Sequence, residues 1–290
     1  VAFRDNTAPV VTSIVRQDPA AQFTTDLTVK FRVTFNENVV HVNSADFALS
    51  GTATASITGV TAISPMIYDV DGTATTDGTV NLNFAGGQNI VDISNTPFAG
   101  TINSEQTYTL DTTSPAAFAV GTVSTNAGGN VVQGYYNASN TGGISISIPI
   151  PNDPTLVGGT IQIQVDKDGG ASFVNLGTTV LIAAANTTQI VNISHAVLIA
   201  SGEYGDTRTL NFTAIITDVT GNAPTTGTTS ASTLIVDTSV PANAVLAASI
   251  ASLPGAAVTI ASSGVASNQV WAAPAGTTSF SAGATMTQAV

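Results

Sequence analysis

Cysteine is absent from this chain of 290 residues, charged side chains are scarce, and tryptophan occurs once, as Trp271. The lack of cysteine excludes structural disulfides, thiolate metal sites and cysteine nucleophiles together. Charged residues make up 8% of the chain, against about 25% in ordinary soluble domains. Lysine and arginine number 6 against 18 acidic residues, for a formal net charge of −12. The basic footprint for nucleic acid is therefore missing, as is a polybasic patch for anionic lipid. Long apolar runs are missing too: Val197-Leu198-Ile199-Ala200 is among the longest, far short of the roughly 18–20 residues of a membrane span. Val1-Ala2-Phe3-Arg4-Asp5 does not form a signal peptide, so an export signal is expected to have been removed or to lie outside this sequence.

What is present is a chain that is 43% hydrophobic, with Thr, Ser, Gly and Asn supplying much of the remainder. Disorder pairs low hydrophobicity with high charge, so this composition belongs to a folded protein. Thr and Val favour pleated, half-buried strands, and Gly, Asn and Asp favour turns. The fold class expected is all-β.

A recurring junction divides the chain. Asp5-Asn6-Thr7-Ala8-Pro9 returns as Asp111-Thr112-Thr113-Ser114-Pro115 and as Asp237-Thr238-Ser239-Val240-Pro241. The aspartates lie 106 and then 126 residues apart, from 5 to 111 and from 111 to 237. Each interval suits one immunoglobulin-like sandwich of about 100 residues, and a repeat at that period means an array of like modules. Proline closes each junction, ending a ladder for want of an N–H and fixing φ where the chain crosses. The expected organisation is a sandwich at 1–112, a second at 113–238, and a partial third module or assembly segment at 239–290. That last piece of 52 residues contains no charged side chain, and its open edges are expected to dock on another chain.

Strand patterns fill the modules. Leu27, Val29, Phe31, Val33 and Phe35 alternate with Thr28, Lys30, Arg32 and Thr34, giving one buried and one wet face. Val80, Leu82 and Phe84 repeat the pattern, as do Ile144, Ile146 and Ile148, and Ile161, Ile163 and Val165. Glu105–Leu110 and Ala231–Val236 read as last strands running into a junction. Asp77-Gly78 is a turn signal, and Asp166-Lys167-Asp168-Gly169-Gly170 reads as a hairpin tip. Ala196–Ala200 reads as one short helical turn.

By these residues the chain resembles the immunoglobulin-like repeats of giant bacterial surface proteins. Val33-Thr34-Phe35-Asn36-Glu37-Asn38-Val39 with Val42–Phe47 carries the likeness in the first module. Gly134-Tyr135-Tyr136-Asn137 and Thr217-Asp218-Val219-Thr220-Gly221-Asn222 carry it in the second. The resemblance implies tandem antiparallel immunoglobulin-like β-sandwiches in a multi-module protein of the bacterial cell surface or extracellular space: adhesin, surface-layer component or filament subunit. In place of the second module's Asp218–Asn222, the first has Asp92-Ile93-Ser94-Asn95, one residue shorter and without the glycine.

Catalytic chemistry finds no setting. His41 and His195 have no nucleophile motif beside them, and no Gly-x-Ser-x-Gly elbow occurs. Calcium is the stronger chemical expectation, since hard cations take several oxygens at once. Its candidate ligands are Asp5, Asp111 and Asp237 at the junctions, and Asp218 with Asn222 in a loop. The alternative for a junction aspartate is a local turn closed through its own side chain. Asp69-Val70-Asp71-Gly72 lacks the third ligand and terminal glutamate of an EF-hand and reads as a turn. Self-formed isopeptide crosslinks need a buried lysine; Lys30 is on a wet face and Lys167 in the expected turn.

Three functions follow. The first is a self-assembling surface or filament subunit that partners other copies of itself. The second is a spacer or stalk of an adhesin, stiffened by calcium and partnered by further modules of its own chain. The third, a carbohydrate-binding module, has Tyr135-Tyr136 as its best platform, a pair equally suited to core packing. A host or glycan ligand is not named by any motif.

Overall fold

The alternating residues from Val29 to Phe35 become the inward face of a central strand: Val29, Phe31, Val33 and Phe35 are all buried, while Lys30, Arg32 and Thr34 look outward. The computed structural model describes residues 6–100, 102, 105–169 and 172–239, together with the backbone pair Trp271–Ala272 and Thr287–Gln288. Asp5 and the rest of 240–290, including the expected third module, lie outside the described residues.

The first half runs β1 (Val11–Asp18), β2 (Phe23–Thr24), β3 (Thr28–Phe35), β4 (Val39–Val40), a 3₁₀ turn at Ser44–Asp46, and β5 (Phe47–Ser50). It continues with β6 (Ala55–Ser64), β7 (Ile67–Ala74), β8 (Gly78–Phe84), β9 (Val91–Asp92) and β10 (Tyr108–Leu110). One sheet has the order β1-β3-β7-β6 and is antiparallel throughout. The other has the order β2-β10-β8-β5, with β2 and β10 parallel. Apolar faces of both meet in one core of Val11, Ile14, Phe31, Phe35, Val70, Leu82, Tyr108 and neighbours. The Tyr108 hydroxyl is fully enclosed and lies 2.7 Å from both the Pro19 and the Lys30 carbonyls, while the Gln17 amide donates to it at 3.2 Å. Burial pushes its pKa up.

The second half comprises β11 (Val123–Thr125), β12 (Tyr135–Asn137), β13 (Ile144–Ile150), a 3₁₀ turn at Pro154–Leu156, β14 (Thr160–Lys167), β15 (Val174–Asn175) and β16 (Val180–Leu181). Then follow β17 (Thr187–Ile193), helix α1 (His195–Ala200), β18 (Thr209–Thr217), β19 (Thr225–Thr226) and β20 (Leu234–Asp237). Its sheets are β11-β13-β17 and β12-β20-β18-β14-β15, with β16 beside β14 and β19 beside β18. The isoleucines of β13 and β14 face each other in a second core with Phe212, Tyr136 and Leu198. The last strand β20 repeats the arrangement of β10: parallel to a short early strand on one side, antiparallel to a long strand on the other. No strand pairing among the described residues links the two halves. The described residues are all-β apart from short helical turns.

Two sequence expectations are corrected. Asp69-Val70-Asp71-Gly72 is the interior of β7, in register with Arg32, Phe31, Lys30 and Val29 of β3. A buried Asp69 is tolerated there because Arg32 forms a bidentate pair with it, at 2.8 and 2.9 Å, and Lys30 reaches Asp71 at 3.4 Å. Lys167 ends β14 in register with Leu210 rather than sitting in the turn, and pairs with Glu203. The hairpin tip itself begins at Asp168, whose φ of 57° and that of Gly169, 68°, turn the chain. At Gly78, φ is 135° and a Cβ would fall 2.5 Å from the Thr52 hydroxyl, so no larger residue fits the start of β8.

Candidate functional site: the hydrogen-bonded junctions

Leaving β10, the chain passes into the base of the second sandwich at Asp111, which is 4% exposed. Its amide still belongs to the first sandwich, donating to the Thr24 carbonyl at 3.0 Å. Its side chain serves the second. Oδ1 closes a local turn by accepting from the Thr113 amide at 3.0 Å and hydroxyl at 2.9 Å. Oδ2 accepts from the Thr155 hydroxyl at 2.5 Å, and the Thr220 hydroxyl stands 3.4 Å away. The Asp111 carbonyl accepts from Asn222 Nδ2 at 3.0 Å.

Two loops build this socket. Thr155 belongs to the 3₁₀ turn after β13, capped by Asp153, whose Oδ1 accepts from the Thr155 amide. Asp218, just past β18, folds its own loop: Oδ1 accepts from the amides of Thr220, Gly221 and Asn222 at 3.0, 2.8 and 3.2 Å. The Gly221 φ of 88° permits that tight wrap. Asp218 Oδ2 accepts from Asn222 Nδ2 at 3.1 Å. The candidate ligands Asp111, Asp218 and Asn222 are thus brought together, as partners of one another and of protein donors. The shorter loop of the first half does the same work with fewer partners: Asp92 Oδ1 accepts from the Ser94 and Thr96 amides.

Asp237 is placed elsewhere, at the end of β20, half-buried and in register with Asn137. Around it the structure shows a second device that sequence reasoning missed. Thr238 donates its amide and hydroxyl to Asp206 Oδ1 at 2.6 and 3.0 Å. At the first junction, Thr112 donates its amide and hydroxyl to Asp77 Oδ1 at 3.0 and 2.9 Å. Both junctions therefore clamp the residue after the junction aspartate with an aspartate from the approach to the preceding long strand, β8 or β18. The signal was in the repeat: an Asp standing one and three residues before those strands. Hydrogen bonds from Ser239 and Thr238 push the Asp206 pKa down to about 2.

The socket's oxygens bear on the expected calcium. Each carboxylate oxygen of Asp111 and Asp218 already faces an N–H or O–H donor, the arrangement of the turn-forming alternative. One position is short of protons: the Thr155 hydroxyl lies 2.5 Å from Asp111 Oδ2 and 2.6 Å from Asp153 Oδ1, with one hydrogen for both. Among the described residues no group of three or more His, Cys, Asp or Glu could hold a metal ion.

The histidines are apart from the junctions. His195 opens α1 with Nδ1 2.7 Å from the Tyr136 hydroxyl, and His41 is exposed at a φ of 68°. Tyr136 is core and Tyr135 half-buried. No helix of the described residues is long and apolar enough to cross a membrane.

No protein-family model matches the chain, and no curated protein matches it. Solved structures similar to it include the S-layer protein rSbsC, at 13% identity and a TM-score of 0.25, with 81% of this chain and 26% of that one covered. They also include the Escherichia coli adhesin FdeC, at 10% identity and a TM-score of 0.33, with 82% of this chain and 65% of that one covered. The chain spans about a quarter of the first and just under two thirds of the second.

Proposed function

We propose that this chain is a non-catalytic structural array of the bacterial cell exterior, a run of sandwiches that acts by setting spacing and by assembling with further copies of itself. The observation that carries the reading is the repeated junction. Asp111 is bonded to both sandwiches at once, and the Asp77–Thr112 clamp recurs as Asp206–Thr238. A linker meant only to tether would spend no buried carboxylate on its geometry; a linker that fixes the angle between neighbours does. The hydroxyl-rich surface, with charged residues at 8% of the chain, leaves broad uncharged areas for contact between copies.

The test is the solution state of the purified chain. Analytical ultracentrifugation and negative-stain microscopy should show concentration-dependent linear association, and small-angle scattering should give a rod whose length does not change with salt. A strictly monomeric chain whose two sandwiches scatter as independent bodies overturns the reading.

The second reading is a spacer of an adhesin stiffened by calcium. It is favoured by the one hydroxyl proton shared between Asp111 and Asp153, because a cation would neutralise what that proton cannot. This reading expects a rod that stays monomeric and stiffens on adding Ca²⁺.

A further inference from the structure

The two halves differ at one sheet edge. In the first, β7 is flanked by β3 on one side and by β6 on the other. In the second, β17 holds the place of β7: it follows the short strands after the 3₁₀ turn, precedes the long strand β18, and pairs with β13 as β7 pairs with β3. Among the described residues its other side has no strand. The segment that corresponds to β6 in chain order, β16, has crossed to the opposite sheet and pairs with β14 at Thr160 and Ile161. Among the described residues no backbone group hydrogen-bonds to the outer edge of β17. Only the Gln189 side chain reaches sideways, to the Leu181 carbonyl and the Ala183 amide.

An open strand of seven residues is normally guarded by charge, proline or bulges. Thr187-Thr188-Gln189-Ile190-Val191-Asn192-Ile193 has no charge and no proline, and its register with β13 is unbroken. Ile190 stands 53% exposed. On the first half, β6 is an edge of ten uncharged residues, Ala55–Ser64, with Ile63 51% exposed. Its pairing to β7 slips between Ile57 and Gly59 and between Ala62 and Ser64, leaving Gly59–Ala62 regular. Among the described residues the remaining long edge, β1, carries Arg16 and Asp18, and the other edge strands have two to four residues.

We infer that the open side of β17 in one copy pairs edge to edge with the outer side of β6 in a second copy, the side turned away from β7. The inference rests on the self-assembly reading and names its surface. Among the described residues these are the two long edges that carry neither charge nor proline, so each offers the other an unguarded row of backbone donors and acceptors. Since the two edges lie on different halves, the contact is head-to-tail. Each added copy presents a fresh β17, and the assembly grows as an open filament rather than closing as a two-fold dimer.

The absence of cysteine makes the test clean. Single-cysteine chains Thr61→Cys and Ile190→Cys are mixed and treated with a short bis-maleimide. Cross-linking between the two variants should exceed that within either one alone. Separately, Thr188→Lys with Ile190→Lys places charge on the open strand and should lower the apparent association constant about tenfold or more, with the melting temperature showing that the fold is kept. Thr61→Lys on β6 should do the same, and a mixture of the two lysine variants should stop at one-to-one pairs, through the intact β17 of one and the intact β6 of the other, without growing into filaments. If filaments form as before in both lysine variants and cross-links arise only between like positions, the edge pairing is wrong and self-assembly stands on another surface. If the unmodified chain remains monomeric at every concentration, both the pairing and the self-assembly reading fall.

Discussion

Asn222 donates its side-chain amide to the main-chain carbonyl of Asp111 at 3.0 Å, across 111 residues of sequence. The same Nδ2 group lies 3.1 Å from Asp218 Oδ2. One asparagine thus ties the incoming chain to the loop that receives it, and the junction's rigidity can be tested residue by residue.

Replacing Asp111 by Ala removes the acceptor of the Thr113 amide and hydroxyl and leaves the Thr155 hydroxyl with Asp153 as its remaining carboxylate partner. Stranded donors of this kind cost about 1–3 kcal/mol each. The expected result is a lower melting temperature for the second sandwich and a broader range of inter-module angles by small-angle scattering. Asp111→Asn, which keeps the shape and one acceptor, should fall between Ala and the natural residue.

Asp206 gives the second junction a pH dependence. Its folded pKa is about 2, against an ordinary 3.8. A depressed carboxylate stabilises the clamp above its unfolded pKa, and that contribution is lost as pH falls from near 4 towards 2. The Thr238 amide resonance should shift through that window, and Asp206→Asn should remove the transition while leaving Thr112 unaffected.

Tyr108→Phe is expected to destabilise the first sandwich by about 1–3 kcal/mol, because the Gln17 amide and two carbonyls lose their buried partner. Denaturant unfolding would read it as a lower midpoint at unchanged slope. A neutral result would mean that water replaces the hydroxyl.

Chelation separates the hydrogen-bonded socket from the calcium spacer. With donors already on the oxygens of Asp111 and Asp218, EDTA is expected to leave the melting temperature and the scattering length unchanged. A rise in melting temperature on adding Ca²⁺, abolished by Asp218→Asn, would favour the cation.

How far the sequence could be read depended on the range of the interactions. Period-two alternation is local, so the inward faces of β3, β8, β13 and β14 were visible before any fold was known, as was the helical turn at α1. Asp69-Val70-Asp71-Gly72 was misread because its letters are those of a turn; its strand is secured by Arg32 and Lys30 of the neighbouring strand. Propensity yields there to a cross-strand ion pair. Asp111, Asp218 and Asn222 were picked out as oxygen donors, but their mutual hydrogen bonds depend on Thr155, 44 residues from Asp111. Asp77 was read as a turn signal and Asp206 went unremarked, because each clamp joins residues 35 or 32 positions apart and its partner is not local.

The parallel pairs β2–β10 and β12–β20 have a mechanical consequence. In each, an early strand and the last strand of a sandwich run in the same direction, Phe23 beside Thr109 and Tyr135 beside Ile235. Tension applied through the chain ends pulls the early strand backward and the last strand forward along one shared axis. The ladder is therefore loaded in shear, so its bonds yield together rather than unzipping one at a time. Pulled lengthwise, the chain would hold by these few bonds, with the junction clamps of Asp77 and Asp206 placed where the pull leaves each sandwich.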